Sequence, residues 1–389
     1  MPASADALAA IDSRAAGMEA QLIRWADLNS GSHNTSGLLQ MGSSIAQRLR
    51  ELGAEVHLLP LPDADAPAVV ARKRPQASRR VLLSGHFDTV YSEADRFQSC
   101  DRPEPDVIRG PGVADMKGGI VVMLEALRAL EASDASSELG WEALLTPDEE
   151  VGSPASMPLL REAAKRSHLA IVFEPALSDG SIVSTRKGVG VVRVFARGRA
   201  AHAGRNPAEG RNAIVALAHF ISAVNFLNHA LSDVVVNAGS IKGGGAINIV
   251  PDRATAEFNI RALRAADGDE ILRRMRDAAE AVGRANEVEF EITGGFTRRA
   301  METTPESARL IEAWCEGAAR LGFTIGAGHS GGGSDGNILA EAGLPCIDGA
   351  GVEGFELHSD REWMRASSLP RRAKVAAQFL LRLARGEIE

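Results

Sequence analysis

Five short stretches of the chain place histidines and carboxylates where they could share metal ions. The first is Val81–Val90, reading VLLSGHFDTV. In an extended strand His86 and Asp88 point to the same face. A histidine can ligate a metal through one ring nitrogen while a carboxylate fixes the other, and Asp88 is spaced to orient His86 in that way. The second is Arg109–Gly119, RGPGVADMKGG, in which a glycine-rich turn delivers Asp115 to a helix start. Alone, Asp115 could equally be a helix cap. The third, LLTPDEEVGS, sets Asp148, Glu149 and Glu150 in a row after an apolar run. Such a charge run is ordinarily a solvated surface. At the carboxyl end of a strand in an open α/β sheet it lies where ligands bind. The fourth, Ile171–Pro175, ends another apolar run on Glu174. The fifth is late: Gly331–Asn337, GGGSDGN, reads as a flexible loop rich in backbone N–H groups, and GFELHSD then supplies His358. Two histidines and several carboxylates form a mixed nitrogen and oxygen donor set, which suits zinc, cobalt or manganese better than calcium. One carboxylate can bridge two ions about 3.5–4 Å apart, and a further one remains free to take a proton from water.

These residues need a scaffold, and the patterning supplies one. Apolar residues at helical spacing predict a helix over Ala7–Leu28, and Ser36 could cap a second one running to about Leu52. Short β-like runs follow at Ala54–Leu59, Ala68–Arg72 and Val81–Ser84, then a helix at Gly119–Ala132. A strand at Trp141–Leu145, a helix at Pro154–Lys165 and a strand at Leu169–Phe173 complete an alternating α/β series. Beyond about Ile182 the order becomes strand, helix, strand, strand, helix, strand, ending near Ile292. That is the ferredoxin-like arrangement. The α/β character returns with helices at Ser307–Leu321 and Ser367–Arg385. The expected fold is therefore α/β, a mixed sheet sandwiched by helices, with an inserted ferredoxin-like α+β domain. Residues 1–183 and 300–389 would form the discontinuous larger domain, and 184–299 the insert.

Bulk properties narrow the partners. The chain has 389 residues, a length that favours two cores over one. Aromatic residues make up 4% and the net charge is −8, which argues against nucleic acid and acidic membranes. No run approaches eighteen consecutive apolar residues, so no membrane span is expected. Cys100, Cys315 and Cys346 lie far apart, without the spacing of a disulfide framework or thiolate metal site. Met1–Ile11 lacks the basic start of a secretory signal, so the cytoplasm is the expected compartment.

Taken together, the motifs resemble the cocatalytic-zinc exopeptidases, the family of glutamate carboxypeptidase (the carboxypeptidase G type), aminoacylase-1, acetylornithine deacetylase and succinyl-diaminopimelate desuccinylase. The resemblance runs in order through Gly85–Val90, Gly110–Gly119, Thr146–Ser153, Phe173–Pro175, Ala201–Gly204, Gly331–Asp335 and Leu357–His358. It implies that His86, Asp115 and Glu174 hold one zinc ion. Asp115, Glu150 and His358 would hold the other, with Asp115 bridging. It implies Glu149 as general base, Asp88 as the orienting partner of His86, and a frequently cis peptide bond after Asp115. The insert would serve as lid and dimer surface. His202 would stabilise the oxyanion, commonly from the neighbouring subunit, while Asn248, Arg261 and the backbone of Gly331, Gly332 and Gly333 would contact the substrate carboxylate. Met116 stands where the carboxypeptidase G type has a second Asp, and Ser184–Gly188 is more like other branches. The resemblance thus implies a homodimeric dizinc hydrolase that cleaves an amide next to a free carboxylate. The substrate would be a small molecule, foremost a peptide losing its C-terminal amino acid, with an N-acyl amino acid losing its acyl group as the alternative. A reading of another class is a metal-stabilised binding protein without catalysis, against which Glu149 argues, because a structural site needs no free base.

Overall fold

The computed structural model describes residues 2–388. The chain divides into two compact units: Met1–Ser184 with Thr303–Ser330 and Ser334–Glu389, and Thr185–Glu302 with Gly331–Gly333.

The first unit is built on a six-stranded sheet. Its order is Glu55–Leu59, Ala68–Lys73, Leu139–Thr146, Arg79–His86, Leu169–Val172 and Cys346–Ile347. The last four strands run parallel, and Ala68–Lys73 joins them antiparallel. Every residue of Leu139–Thr146 is buried, as expected of a strand covered on both faces. The helices Thr35–Glu51, Gly118–Glu131, Pro305–Arg320 and Ser368–Ala384 contribute to that cover. Leu38, Ile45, Leu127, Trp314 and Phe379 are fully enclosed, and each such side chain contributes about 1.5–3 kcal/mol. A small second sheet pairs Trp363–Arg365 with both Gly354–Phe355 and Val107–Arg109. It ties the late segment around His358 to the strand that leads into the Asp115 loop.

Two expectations for this unit change. The opening helix is broken into Pro2–Ser13 and Ala15–Ala26, because Arg14 leaves helical geometry at φ −97° and ψ 1°. The next helix, Thr35–Glu51, is capped by Asn34, whose side chain accepts from Gly37 N, rather than by Ser36.

The second unit has a four-stranded antiparallel sheet ordered Val234–Gly243, Arg253–Ala262, Gly188–Arg197 and Glu289–Arg298. With helices Ala213–Asn225 and Ala265–Asn286 inserted between strands, this is the ferredoxin-like order. Burial alternates along Gly188–Arg197 and Arg253–Ala262: one face packs on the helices and the other is open. Asn212 caps the first helix by accepting from Ile214 N and Val215 N. The stretch Ala213–Ala230 is long and apolar enough in composition to cross a membrane. Here Ala216, Leu217, Phe220 and Val224 bury its inner side against the sheet.

Candidate metal centre

Parallel strands deliver most of the site. His86 ends one strand; Glu149 and Glu150 follow the next, on a short 3-10 turn; Glu174 lies two residues beyond a third. The Asp115 loop reaches the same place through Gly112, at φ +71°, a conformation glycine adopts without a steric penalty. The helix starting at Gly118 packs so close to the Glu174 strand end that a Cβ on Gly119 would fall 1.9 Å from Phe173 O. The Asp115–Met116 peptide bond is cis.

Asp115 faces both histidines. Its Oδ1 is 3.1 Å from His86 Nε2 and its Oδ2 is 3.2 Å from His358 Nε2. Glu174 Oε1 lies 3.5 Å from His86 Nε2, and Glu150 Oε2 lies 3.2 Å from His358 Nε2. Glu149 shares the cluster, its carboxylate within 4.8 Å of donor atoms on His86 and Glu174. Donor atoms bound at 2.0–2.1 Å to one tetrahedral ion would be about 3.3–3.4 Å apart. The donor spacings match that edge length, and one carboxylate turns a different oxygen to each half. The residues present therefore fit a pair of divalent ions.

The electrostatics agree. Burial alone would lower the pKa of His86, yet hydrogen bonds with Asp115 and Asp88 and the charges of Glu174 and Glu149 carry it well above the ordinary histidine range. Contacts with Asp115 and Glu150 lift His358 to about 11. Burial would raise Asp115, but the two imidazoles hold it far below the usual carboxylate range. Glu150 is pushed up, by burial first and then by the Asp115 charge. Four carboxylates around two imidazoles call for added positive charge, because unpaired buried charge is costly.

Asp88 does more than its spacing promised. It sits 3.3 Å from His86 Nδ1. Its Oδ1 also accepts from Glu149 N and its Oδ2 from Glu150 N, both at 3.1 Å, and Ser32 Oγ donates to Oδ2 at 2.8 Å. The first acid of the triplet, Asp148, turns away and accepts from the backbone N–H groups of Ala155 and Ser156.

Glu362 was missed by sequence reasoning. Fully buried, it accepts from Ala114 N, Asp115 N and Gly112 N at 2.8–3.0 Å and from the Tyr91 hydroxyl at 2.7 Å. Burial and the Asp115 charge push its pKa up to about 7. The available signal was a glutamate four residues after His358. His358 itself is half exposed and sits at φ +59°, a conformation that costs a non-glycine residue about 1 kcal/mol or more. The strand pairs Phe355–Trp363 and Gly354–Met364 hold the loop on both sides.

The remaining candidates belong to the second unit. His202 is exposed, and its Nδ1 accepts from Gly204 N and Arg205 N. Nε2 therefore carries the proton of the neutral ring. Asn248 lies on the adjoining segment, joined by Ala203 N to Asn248 O and by a bridge between His202 and Ile249. Arg261 donates to Gly331 O at 2.6 Å and to Asn259 Oδ1 at 3.2 Å, which brings it to the Gly331–Gly333 backbone. The expected flexible loop ends there: Ser334 caps a helix, Asp335–Glu341, by accepting from Gly336 N.

Strand ends and two loops thus bring two histidines and four carboxylates together as the donor set of a divalent-metal site. Residues 82–382 match the model of peptidase family M20/M25/M40, and the chain belongs to that family. It is 28% identical over 365 residues to carboxypeptidase G2 of Pseudomonas sp. (strain RS-16), covering 93% of this chain and 88% of that one. It is 25% identical to succinyl-diaminopimelate desuccinylase of Alkalilimnicola ehrlichii, covering 87% and 92%. The fold is shared with aminopeptidase PepT from Bacillus cereus, with a TM-score of 0.81 at 21% identity over 94% and 98% of the two chains. The protein is a metallopeptidase or amidohydrolase of this family.

Proposed function

We propose that the protein is a dizinc carboxypeptidase that releases a C-terminal amino acid, glutamate among the candidates, from an acyl or peptidyl partner. The observation that carries the metal chemistry is Asp115, with one oxygen beside each histidine and Glu149 alongside. Likeness to carboxypeptidase G2 over most of the chain favours the carboxypeptidase reading. In it, His86, Asp115 and Glu174 hold one ion, and Asp115, Glu150 and His358 the other. When bound, divalent ions supply Lewis-acid polarisation and acidify water. Glu149, buried beside both donor groups, takes a proton from the attacking water and passes it to the leaving amine, a step worth roughly 10²–10⁴-fold. Asp88 keeps His86 oriented and Glu149 in place. His202, with Nδ1 already engaged, donates Nε2–H to the developing oxyanion. Arg261, Asn248 and the Gly331–Gly333 backbone take the substrate carboxylate.

We further propose a cytoplasmic homodimer, with the second unit as lid and dimer surface. The exposed Val215, Phe226, Ile241 and Ile249 of that unit supply apolar surface for such a contact, and the three free cysteines suit a reducing compartment. Likeness to the desuccinylase supports a second reading, N-acyl amino acid deacylation. Amino acid release from a panel of dipeptides and N-acyl amino acids, by protein of measured metal content and a chelated control, tests both. Chelator-sensitive turnover is expected. Two bound ions with no turnover on any of these substrates would overturn both the carboxypeptidase and the deacylase readings.

A further inference from the structure

The carboxyl ends of the parallel strands carry the candidate metal centre; their amino ends carry a second cavity. It holds about 410 Å³ and lies wholly within the first unit. Arg80, in its wall, is six residues before His86 on the same strand. At roughly 3.3 Å per residue the two places are about 20 Å apart. The walls come from the turn after Ala68–Lys73, the start of Leu139–Thr146 and the last turn of the helix Met157–Arg166.

Strand register gathers the charge. Arg72 pairs with Glu142, and Glu142 pairs with Leu82 on its other side. Paired residues share a face and alternate residues return to it, so Arg72, Glu142 and Arg80 point the same way. The connection they bracket, Arg72–Arg80, reads RKRPQASRR, five cations and no acid. In a chain of net charge −8 that is a local reversal of sign. Lys165 and Arg166 join the same wall from the helix end. Cations in a last turn suit the helix dipole, but the dipole does not bring Arg72 and Arg80 to the same cavity.

The cations outnumber their partners. Arg72 and Arg166 share Glu142: Arg72 Nε donates to its Oε2 at 2.9 Å, and Arg166 Nη2 donates to its Oε1 at 2.8 Å. Glu162 takes up Lys165 at 2.6 Å. Arg80 donates to two carbonyls, Arg166 O at 2.6 Å and Ala77 O at 2.9 Å, and meets no carboxylate among the described residues. Two positive charges are therefore left over around one cavity. The same two carbonyls hold the Arg80 side chain in place before any ligand arrives.

Charge and donor geometry choose the ligand. A phosphate monoester carries about −1.5 to −2 near neutrality, which balances that surplus, whereas one carboxylate balances half of it. Guanidinium forks match phosphate oxygens, and the volume admits a small organic group beside the phosphate. We propose that this cavity is a second ligand site, which binds a small molecule bearing a doubly charged phosphate group. It does not depend on the reaction assigned to the metal centre.

Isothermal titration of the metal-loaded protein with phenyl phosphate, and with benzoate as the monocarboxylate control, tests this. Phenyl phosphate should bind saturably, about tenfold or more tighter than benzoate, and more weakly as salt rises. Arg80→Gln should weaken it by about tenfold or more, the scale of a hydrogen bond to a charged group. Lys165→Glu, at an exposed position where the fold should be kept, should weaken it comparably. Neither variant should change the metal content. No saturable binding, equal affinity for benzoate, or binding that both variants leave unchanged, as for phosphate held at the metal centre, would overturn the proposal. So would attachment to phosphatidic acid vesicles without binding of phenyl phosphate, which would make this face a lipid-headgroup surface instead.

Discussion

The two units bury different things. In the first, the interior holds His86, Asp88, Asp115, Lys117, Glu149, Glu174, Glu362 and Arg372 among its apolar side chains. In the second, the core is apolar from Val192 to Val288, and among its described charged residues only Arg186 and Arg298 are buried. Its ionic groups lie outside, as in the exposed pairs Arg193–Glu257 and Arg273–Asp277. A buried ionisable group is costly unless neighbours compensate it, and in the first unit each metal-site residue has such neighbours. The second unit accepts no comparable cost; what it offers is surface. Metal binding and proton transfer are expected to depend on the first unit, and recognition of the substrate carboxylate on the second.

The largest test of that contrast is Glu149→Gln. It should lower kcat by about 10²–10⁴-fold while two ions remain bound, read by steady-state kinetics and metal analysis of the same sample. Activity within tenfold of wild type would remove Glu149 from its role and blur the distinction between the units. Chelation comes next. Ions present at a hundred times their Kd stabilise the folded chain by about 2.7 kcal/mol, so removing them should lower the melting temperature. Hydrogen exchange should locate the loosening around Asp115 and His358 rather than in the ferredoxin-like sheet. Arg261→Ala should cost about 1.5–3 kcal/mol of substrate binding, the scale of a hydrogen bond to a charged group. It should appear mainly in KM, with metal content unchanged.

Much of the first unit's chemistry was legible because it sits at strand ends. The apolar runs before His86, Glu149 and Glu174 announce both the strand and the place where its ligand would lie. Glu362 was not legible because its partners are backbone N–H groups about 250 residues away, and no side-chain pattern records them. Asn34 and Ser36 are equally good caps on paper, and only geometry selects Asn34. Three glycines hid the helix that begins just after Ser334. The strands of the small sheet are two to four residues long, too short for periodicity to mark. The second unit's order of elements was readable from its alternating strands. Exposed residues such as His202 and Asn248 carry no burial signature, so only resemblance points to them.

Two smaller effects sharpen the contrast. Burial would raise the pKa of Glu142, but hydrogen bonds from Arg166 and Arg72 hold it below the ordinary glutamate range. Its folded pKa is depressed, so its contribution to stability is present above the unfolded pKa and is lost as pH falls through the folded one. Glu142→Gln should therefore cost about 1–3 kcal/mol near neutrality, and the gap to wild type should close below about pH 4.3, as seen in denaturant melts across pH. Phe226→Asp, on the exposed surface of the second unit, should change stability by no more than about 0.5 kcal/mol. It should reduce the mass of the assembly in light scattering if that surface joins two subunits.

The double grip of Asp88 limits how this protein can change over generations. Both of its oxygens receive a backbone N–H, one from Glu149 and one from Glu150, while it also faces His86. Asparagine has nearly the same shape but would turn an amide N–H2 toward a peptide N–H. The smallest available substitution thus disturbs the surroundings of His86 and of the Glu149 backbone at once. A change at Asp88 is therefore felt at two elements, the strand end that carries His86 and the turn that carries Glu149 and Glu150.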